Sequence, residues 1–119
     1  MLLQFSVSNY GCFRTRQTLN FAASAQDKSL PDNVIQQKLP GLPGSQWVKG
    51  VAVYGGNASG KSTVLDALHA LADMVKGSAK MTDPKEPIPQ IRPFALCPGQ
   101  PAVPTAFSAV FVTDGVRYE

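Results

Sequence analysis

Residues 48–77 read VKGVAVYGGNASGKSTVLDALHALADMVKG, and this stretch decides the architecture. Its first part, Val48 to Tyr54, is a short apolar run set among glycines, the pattern of a buried central strand. From Lys61 to about Lys76 the period becomes helical. Val64, Leu68, Leu71 and Val75 recur at spacings of four, three and four, and Leu65, Ala72 and Met74 widen the apolar stripe. Ser62, Asp66, His69, Asp73 and Lys76 fall on the polar face, and Gly77 is the expected stop. Between the two periods stands Gly55-Gly56-Asn57-Ala58-Ser59-Gly60-Lys61-Ser62. It fits G-x-x-x-x-G-K-[ST], the phosphate-binding P-loop, in the strand-to-helix setting such a loop requires.

Each residue type in that loop has a physical task. Glycines reach backbone conformations closed to other residues and bring successive N–H groups against phosphate oxygens. The helix beginning at Gly60-Lys61 adds the positive end of its dipole and its unpaired amides. Lys61 supplies a mobile ammonium for the β- and γ-phosphates, and the Ser62 hydroxyl is a hard oxygen ligand suited to Mg²⁺. A plain glycine-rich turn with one exposed lysine explains none of the Gly60-Lys61-Ser62 order.

Outward from the loop, residues 2–8 alternate, with Leu3, Phe5 and Val7 opposed to Gln4, Ser6 and Ser8. Asn9-Tyr10-Gly11 supplies turn chemistry, and a second alternation through Gln17, Leu19 and Phe21 predicts an N-terminal hairpin or meander over 1–23. Residues 24–46 read as loop, with a short piece of structure around Val34-Ile35. Seven of the ten prolines lie between Pro84 and Pro104, so 78–104 reads as an irregular connector. Phe107, Ala109 and Phe111 restart a period of two, and Thr113-Asp114-Gly115 predicts the turn of a β-hairpin over 105–119.

The 119 residues allow one small domain, and 44% hydrophobic content excludes a disordered tail. A net charge of +3, scattered along the chain, makes no nucleic-acid footprint by itself. No apolar run approaches the roughly 18 residues that span a bilayer, and the N-terminus lacks the basic region of a signal peptide. Cys12 and Cys97 form no ligand-like cluster and read as reduced thiols, which with the rest points to a cytoplasmic protein without a membrane partner.

Other candidates are weaker. Asp66, His69 and Asp73 share the polar helix face and read as a solvated cluster rather than a base or a metal site. Asp114 follows an apolar strand, as a Mg²⁺-holding Asp does, but Gly115 after it favours a hairpin turn. Arg14 and Arg16 are equally readable as nucleotide contacts or as solvated strand residues.

The segments FSVSNYGCFRTRQTLNF (5–21), VAVYGGNASGKSTVLDALHALADMV (51–75) and PTAFSAVFVTDGVRYE (104–119) together resemble the N-terminal part of a bacterial ATPase. The group is the SMC- and RecF-like branch of ABC-type ATPases, in particular AAA-type ATP-binding proteins related to OLD nucleases and abortive-infection ATPases. The resemblance implies an α/β P-loop NTPase fold, here the N-terminal half of an ABC-ATPase head. A parallel sheet would surround the P-loop, and an antiparallel β-subdomain would take the N-terminal strands and the 105–119 hairpin. It further implies Mg-ATP as ligand, a homodimer of heads closing over two nucleotides, and often an effector directed at DNA or RNA, as in phage defence. Carried over, Gly55, Gly56, Asn57, Ala58, Ser59, Gly60, Lys61 and Ser62 cradle phosphates, Thr63 touches the α-phosphate, and Phe13 and Arg14 approach the nucleotide. Many relatives carry a basic residue after the aromatic that here is Tyr10, whereas this chain has Gly11.

A complete ATPase of this kind also needs a Gln loop, a signature motif, a Walker B Asp and a following Glu. The two glutamates here are Glu86, among prolines, and Glu119, so no complete catalytic set is expected. The expectation is a partial head domain whose hydrolysis depends on the remainder of the ATPase polypeptide, the isolated chain being inactive. Two rivals are a small P-loop kinase, which lacks lid arginines beyond Arg92 and Arg117, and a non-enzymatic nucleotide-responsive module. Adenine over guanine rests on the resemblance alone.

Overall fold

The computed structural model describes residues 1–24, 26, 29–36, 46–78, 88, 90–96 and 103–119. Cys97, Glu86 and most of the 78–104 connector lie outside these, and its described parts beyond Ser78 carry neither helix nor strand. The elements are β1 (Leu2–Ser8), β2 (Gln17–Asn20), a 3₁₀ turn at Pro31–Asn33, β3 (Val34–Gln36), β4 (Gln46–Val48), α1 (Lys61–Gly77), β5 (Ala106–Thr113) and β6 (Val116–Tyr118). The sheets have the orders β2-β1-β5-β6 and β3-β4. Among the described residues no helix is long and apolar enough to cross a membrane. The chain divides into two compact units.

The first unit comprises Met1–Phe5, Thr18–Val53 and Ser108–Glu119. Its core is Leu3, Trp47, Val110 and Val112, with Phe21 packed against it. The β1 alternation puts Leu3 and Phe5 inside, each 1% exposed. The Phe21 N–H donates to Leu3 O at 3.0 Å, and the Val112 N–H to Met1 O at 2.8 Å, so β1 is held on both sides. Antiparallel β3 and β4 pair Val34 with Val48 and Ile35 with Trp47. The expected hairpin is present: β5 and β6 pair antiparallel, Thr113 opposite Val116. Asp114 and Gly115 both take positive φ, 51° and 78°, the signature of a tight two-residue turn. Stacking of Phe111 on Tyr118, centroids 5.3 Å apart, adds a cross-strand contact.

The expected central strand over Val48–Tyr54 is not formed. Its region contributes only β4, and Val51, Val53 and Tyr54 are 43%, 45% and 92% exposed. The cause lies in the partner strand. Pairing with β3 ends at Val48 opposite Val34, because the chain before Val34 curls into the Pro31–Asn33 turn. The Lys49 N–H bond to Asn33 O, 2.9 Å, is the last rung. Beyond it the apolar run has no strand neighbour among the described residues, and apolar side chains alone cannot hold a strand without its ladder. The described residues thus combine one helix with antiparallel pairing and show no parallel sheet around the P-loop.

The second unit comprises Ser6–Gln17 and Tyr54–Phe107 and contains α1. Its buried helix residues are Ala67 and Ala70, while Leu65 and Val75 are 61% and 68% exposed. The buried line is therefore rotated from the expected Val64-Leu68-Leu71-Val75 stripe toward the two alanines, whose small side chains permit the closest approach of neighbouring chain. Gly77 is the last helical residue rather than a left-handed stop, and the Ser78 hydroxyl donates to Val75 O at 3.0 Å at the helix end.

Candidate nucleotide-binding site

The P-loop residues all belong to the second unit. Residues 55–59 are exposed, Gly60 is buried, and Lys61 is half-buried. The loop curls round the Lys61 ammonium: Nζ donates to Gly55 O at 2.9 Å and Gly56 O at 2.6 Å, and lies 3.5 Å from Ser59 Oγ. Ala58 is held at φ 59°, a left-handed conformation uncommon for alanine, so the loop is bent tightly even where it lacks glycine.

Helix α1 begins in a way suited to anions. Gly60 is its N-cap at φ 91°, with no side-chain cap hydrogen bond, and the first intrahelical bond is Val64 N–H to Gly60 O at 3.1 Å. The N–H groups of Lys61, Ser62 and Thr63 precede that bond and stand at the positive end of the helix dipole. Ser62 is exposed beside them.

The resemblance has Phe13 approach the nucleotide; in the structure its ring packs at the start of α1. A Cβ on Gly60 would lie 2.7 Å from Phe13 Cε1 and 3.1 Å from Cys12 Sγ, so the Cys12-Phe13 pair is seated on the start of α1. Thr63 is engaged by the same turn. Its Oγ1 accepts from the Cys12 thiol at 3.4 Å, and its methyl lies under Gly11, where an added Cβ would come within 2.7 Å. Gly11 and Cys12 were not among the candidate residues. The Asn-Tyr-Gly turn signal was visible, but its approach to Thr63, some fifty positions later, was not.

The turn is tied down from several sides. Tyr10 and Phe13 exchange backbone hydrogen bonds of 2.9 and 2.8 Å, and the Gly11 N–H donates to Arg92 O at 2.7 Å. The Asn9 amide accepts from the Phe94 N–H at 3.2 Å and donates to Val103 O, while the Thr105 hydroxyl donates to Asn9 O at 2.7 Å. The Tyr10 ring meets Phe107 edge-on with centroids 5.6 Å apart.

Arg14 is exposed and makes no hydrogen bond or ion pair among the described residues. Arg16 instead serves structure, its Nη2 donating to the buried Ser6 hydroxyl at 3.2 Å. On α1, His69 Nε2 lies 3.1 Å from Asp73 Oδ2, an i,i+4 pair at the surface. No cluster of three His, Cys, Asp or Glu side chains fit to hold a metal occurs among the described residues. Asp114 sits in the β5–β6 turn, in the first unit, and is not a P-loop residue.

No curated protein and no solved structure matches the chain. Residues 51–119, which begin just before the P-loop and run through α1 and the hairpin, match a family described as an AAA domain, AbiEii toxin-like, of the type IV TA system. That match takes in more than half of the sequence, and its family is of the nucleotide-binding, ATPase-like kind. The chain belongs to the AbiEii toxin-like AAA domain family.

Proposed function

We propose that residues 55–63 bind the triphosphate of Mg-ATP. The carrying observation is the start of α1: a glycine N-cap leaves the first-turn amides unclaimed by any side chain, directly beside a lysine ammonium enclosed by its own loop. Phosphate oxygens are stronger partners for that ammonium than the Gly55 and Gly56 carbonyls, because the hydrogen bond becomes charge-assisted on both sides. Ser62 is the Mg²⁺ ligand in this reading, as its position after Lys61 supports. Adenine, membership of the ABC-type SMC- and RecF-like branch, a dimer of heads and a role in phage defence are supported by the resemblance of residues 5–21, 51–75 and 104–119.

Lys61→Ala tests the reading. Removing the charge-assisted contact is expected to weaken Mg-ATP binding by about 1.5–3 kcal/mol, read by calorimetry. Equal affinity of wild type and variant would defeat the proposal.

The 119 residues by themselves are expected to release no phosphate from ATP. Positioning and charge neutralisation by Lys61 and Mg²⁺ need a carboxylate that orients the attacking water. The described Asp66 and Asp73 lie along the side of α1, Asp114 is in a turn, and Glu119 pairs with Arg117 at 2.6 Å. Steady phosphate release by the purified chain, abolished in Lys61→Ala, would refute this.

A further inference from the structure

The second unit holds a cleft of about 270 Å³ to which no residue of 55–63 contributes. It is formed by the flank of α1, the Tyr10 turn and the segment around Arg92, and its polar lining is Tyr10, Asp66, His69, Asp73, Gln90 and Arg92. Tyr10 is 3% exposed, yet its hydroxyl makes no hydrogen bond among the described residues. The buried side-chain polar atoms without a partner among the described residues are Trp47 Nε1 and Arg117 Nε, so the Tyr10 hydroxyl is reached by solvent.

Burial raises the Tyr10 hydroxyl above its ordinary value, Arg92 works against the rise and Asp66 reinforces it. Both charges belong to residues that line the cleft. Asp73 is engaged by His69, whereas Asp66 and Arg92 form no ion pair, with each other or with any other described residue. Among the described residues, Asp66, Arg92 and the Tyr10 hydroxyl therefore line this cleft without a side-chain partner.

We infer that this cleft is a second ligand site, for a zwitterion of the α-amino-acid class, with the ligand ammonium on Asp66, its carboxylate on Arg92 and the Tyr10 hydroxyl donating between them. A simple cation leaves Arg92 unmatched, and a simple anion leaves Asp66 unmatched. A ligand carrying both charges satisfies all three groups at once, with Gln90 able to donate or accept at the edge.

The test uses the full chain and ligand-observed NMR with common L-amino acids. Each is run beside the amine that lacks its carboxylate and the acid that lacks its ammonium. At least one amino acid is expected to bind while both of its single-charge counterparts do not. Arg92→Gln and Asp66→Asn should each weaken that binding about tenfold, and Tyr10→Phe several-fold, the loss of one charge-assisted or one neutral hydrogen bond. Asp66 and Arg92 are exposed, so their variants should fold, as an unchanged melting curve would show. Lys61→Ala should leave amino-acid binding intact while reducing that of ATP, which separates this site from the P-loop. Silence across the amino-acid panel, binding that survives both charge variants, or an amine that binds as well as its amino acid would overturn the inference.

Discussion

Replacing Gly60 by alanine is expected to destabilise the second unit by about 2–3 kcal/mol and to weaken ATP binding more than tenfold, through strain and crowding together. Gly60 holds φ 91°, ψ 7°, a left-handed N-cap that costs an L-residue roughly 1–2 kcal/mol. The new methyl would also stand 2.7 and 2.9 Å from Phe13 Cε1 and Cζ, closer than carbon atoms tolerate. Either the ring leaves its seat or the first turn of α1 shifts, and the shift would misplace the amides proposed to bind phosphate. The two causes separate in a double variant. Gly60→Ala with Phe13→Ala should recover the crowding part and leave the dihedral part, as urea unfolding would read. Gly56→Ala is the control, because nothing lies within 4 Å of a Cβ there. Unfolding of Gly60→Ala within about 0.5 kcal/mol of wild type, the range of ordinary surface changes, would show that Phe13 does not fix this helix start.

The features legible in the sequence are those fixed by neighbours a few residues away. Thr113-Asp114-Gly115 read as a hairpin turn, and the structure turns there with Asp114 and Gly115 at positive φ. The alternation of Leu3, Phe5 and Val7 marked the inward face of β1, and the helical period after Lys61 marked α1. Readings that depended on distant partners fared differently. Val51-Ala52-Val53-Tyr54 has the composition of a buried strand, but a strand also needs a ladder, and the Pro31–Asn33 turn ends it at Val48. Ser6 breaks the β1 alternation by being 2% exposed, because Arg16 reaches back to its hydroxyl. The buried line of α1 was misplaced for a similar reason: hydropathy favours leucine and valine, whereas close packing chose Ala67 and Ala70. At the site, the loop motif was plain in Gly60-Lys61-Ser62. The seating of Gly11, Cys12 and Phe13 on it joins residues some fifty positions apart, and one sequence carries no record of that distance.

Trp47→Ala is expected to cost about 3–5 kcal/mol, a large share of the stability of a domain this size. Trp47 is 3% exposed and packs with Leu3, Val110 and Val112, so both other segments of the first unit meet on its ring. It also bridges Ala22 and pairs with Ile35, so its loss would loosen β4 from both neighbours. Trp47→Phe should behave otherwise. The indole Nε1 is buried and has no hydrogen-bond partner among the described residues. Burying that N–H without a partner costs about 1–3 kcal/mol, and phenylalanine removes the penalty while keeping most of the apolar volume. The smaller ring leaves a gap, so the two effects oppose each other and the net change should stay below about 1 kcal/mol. Far-UV circular dichroism during urea unfolding reads both variants, since each lacks the one tryptophan of the chain. A Trp47→Ala protein as stable as wild type would mean that this ring does not organise the core. A Trp47→Phe protein as damaged as the alanine variant would mean that the indole N–H is satisfied in solution and contributes to stability.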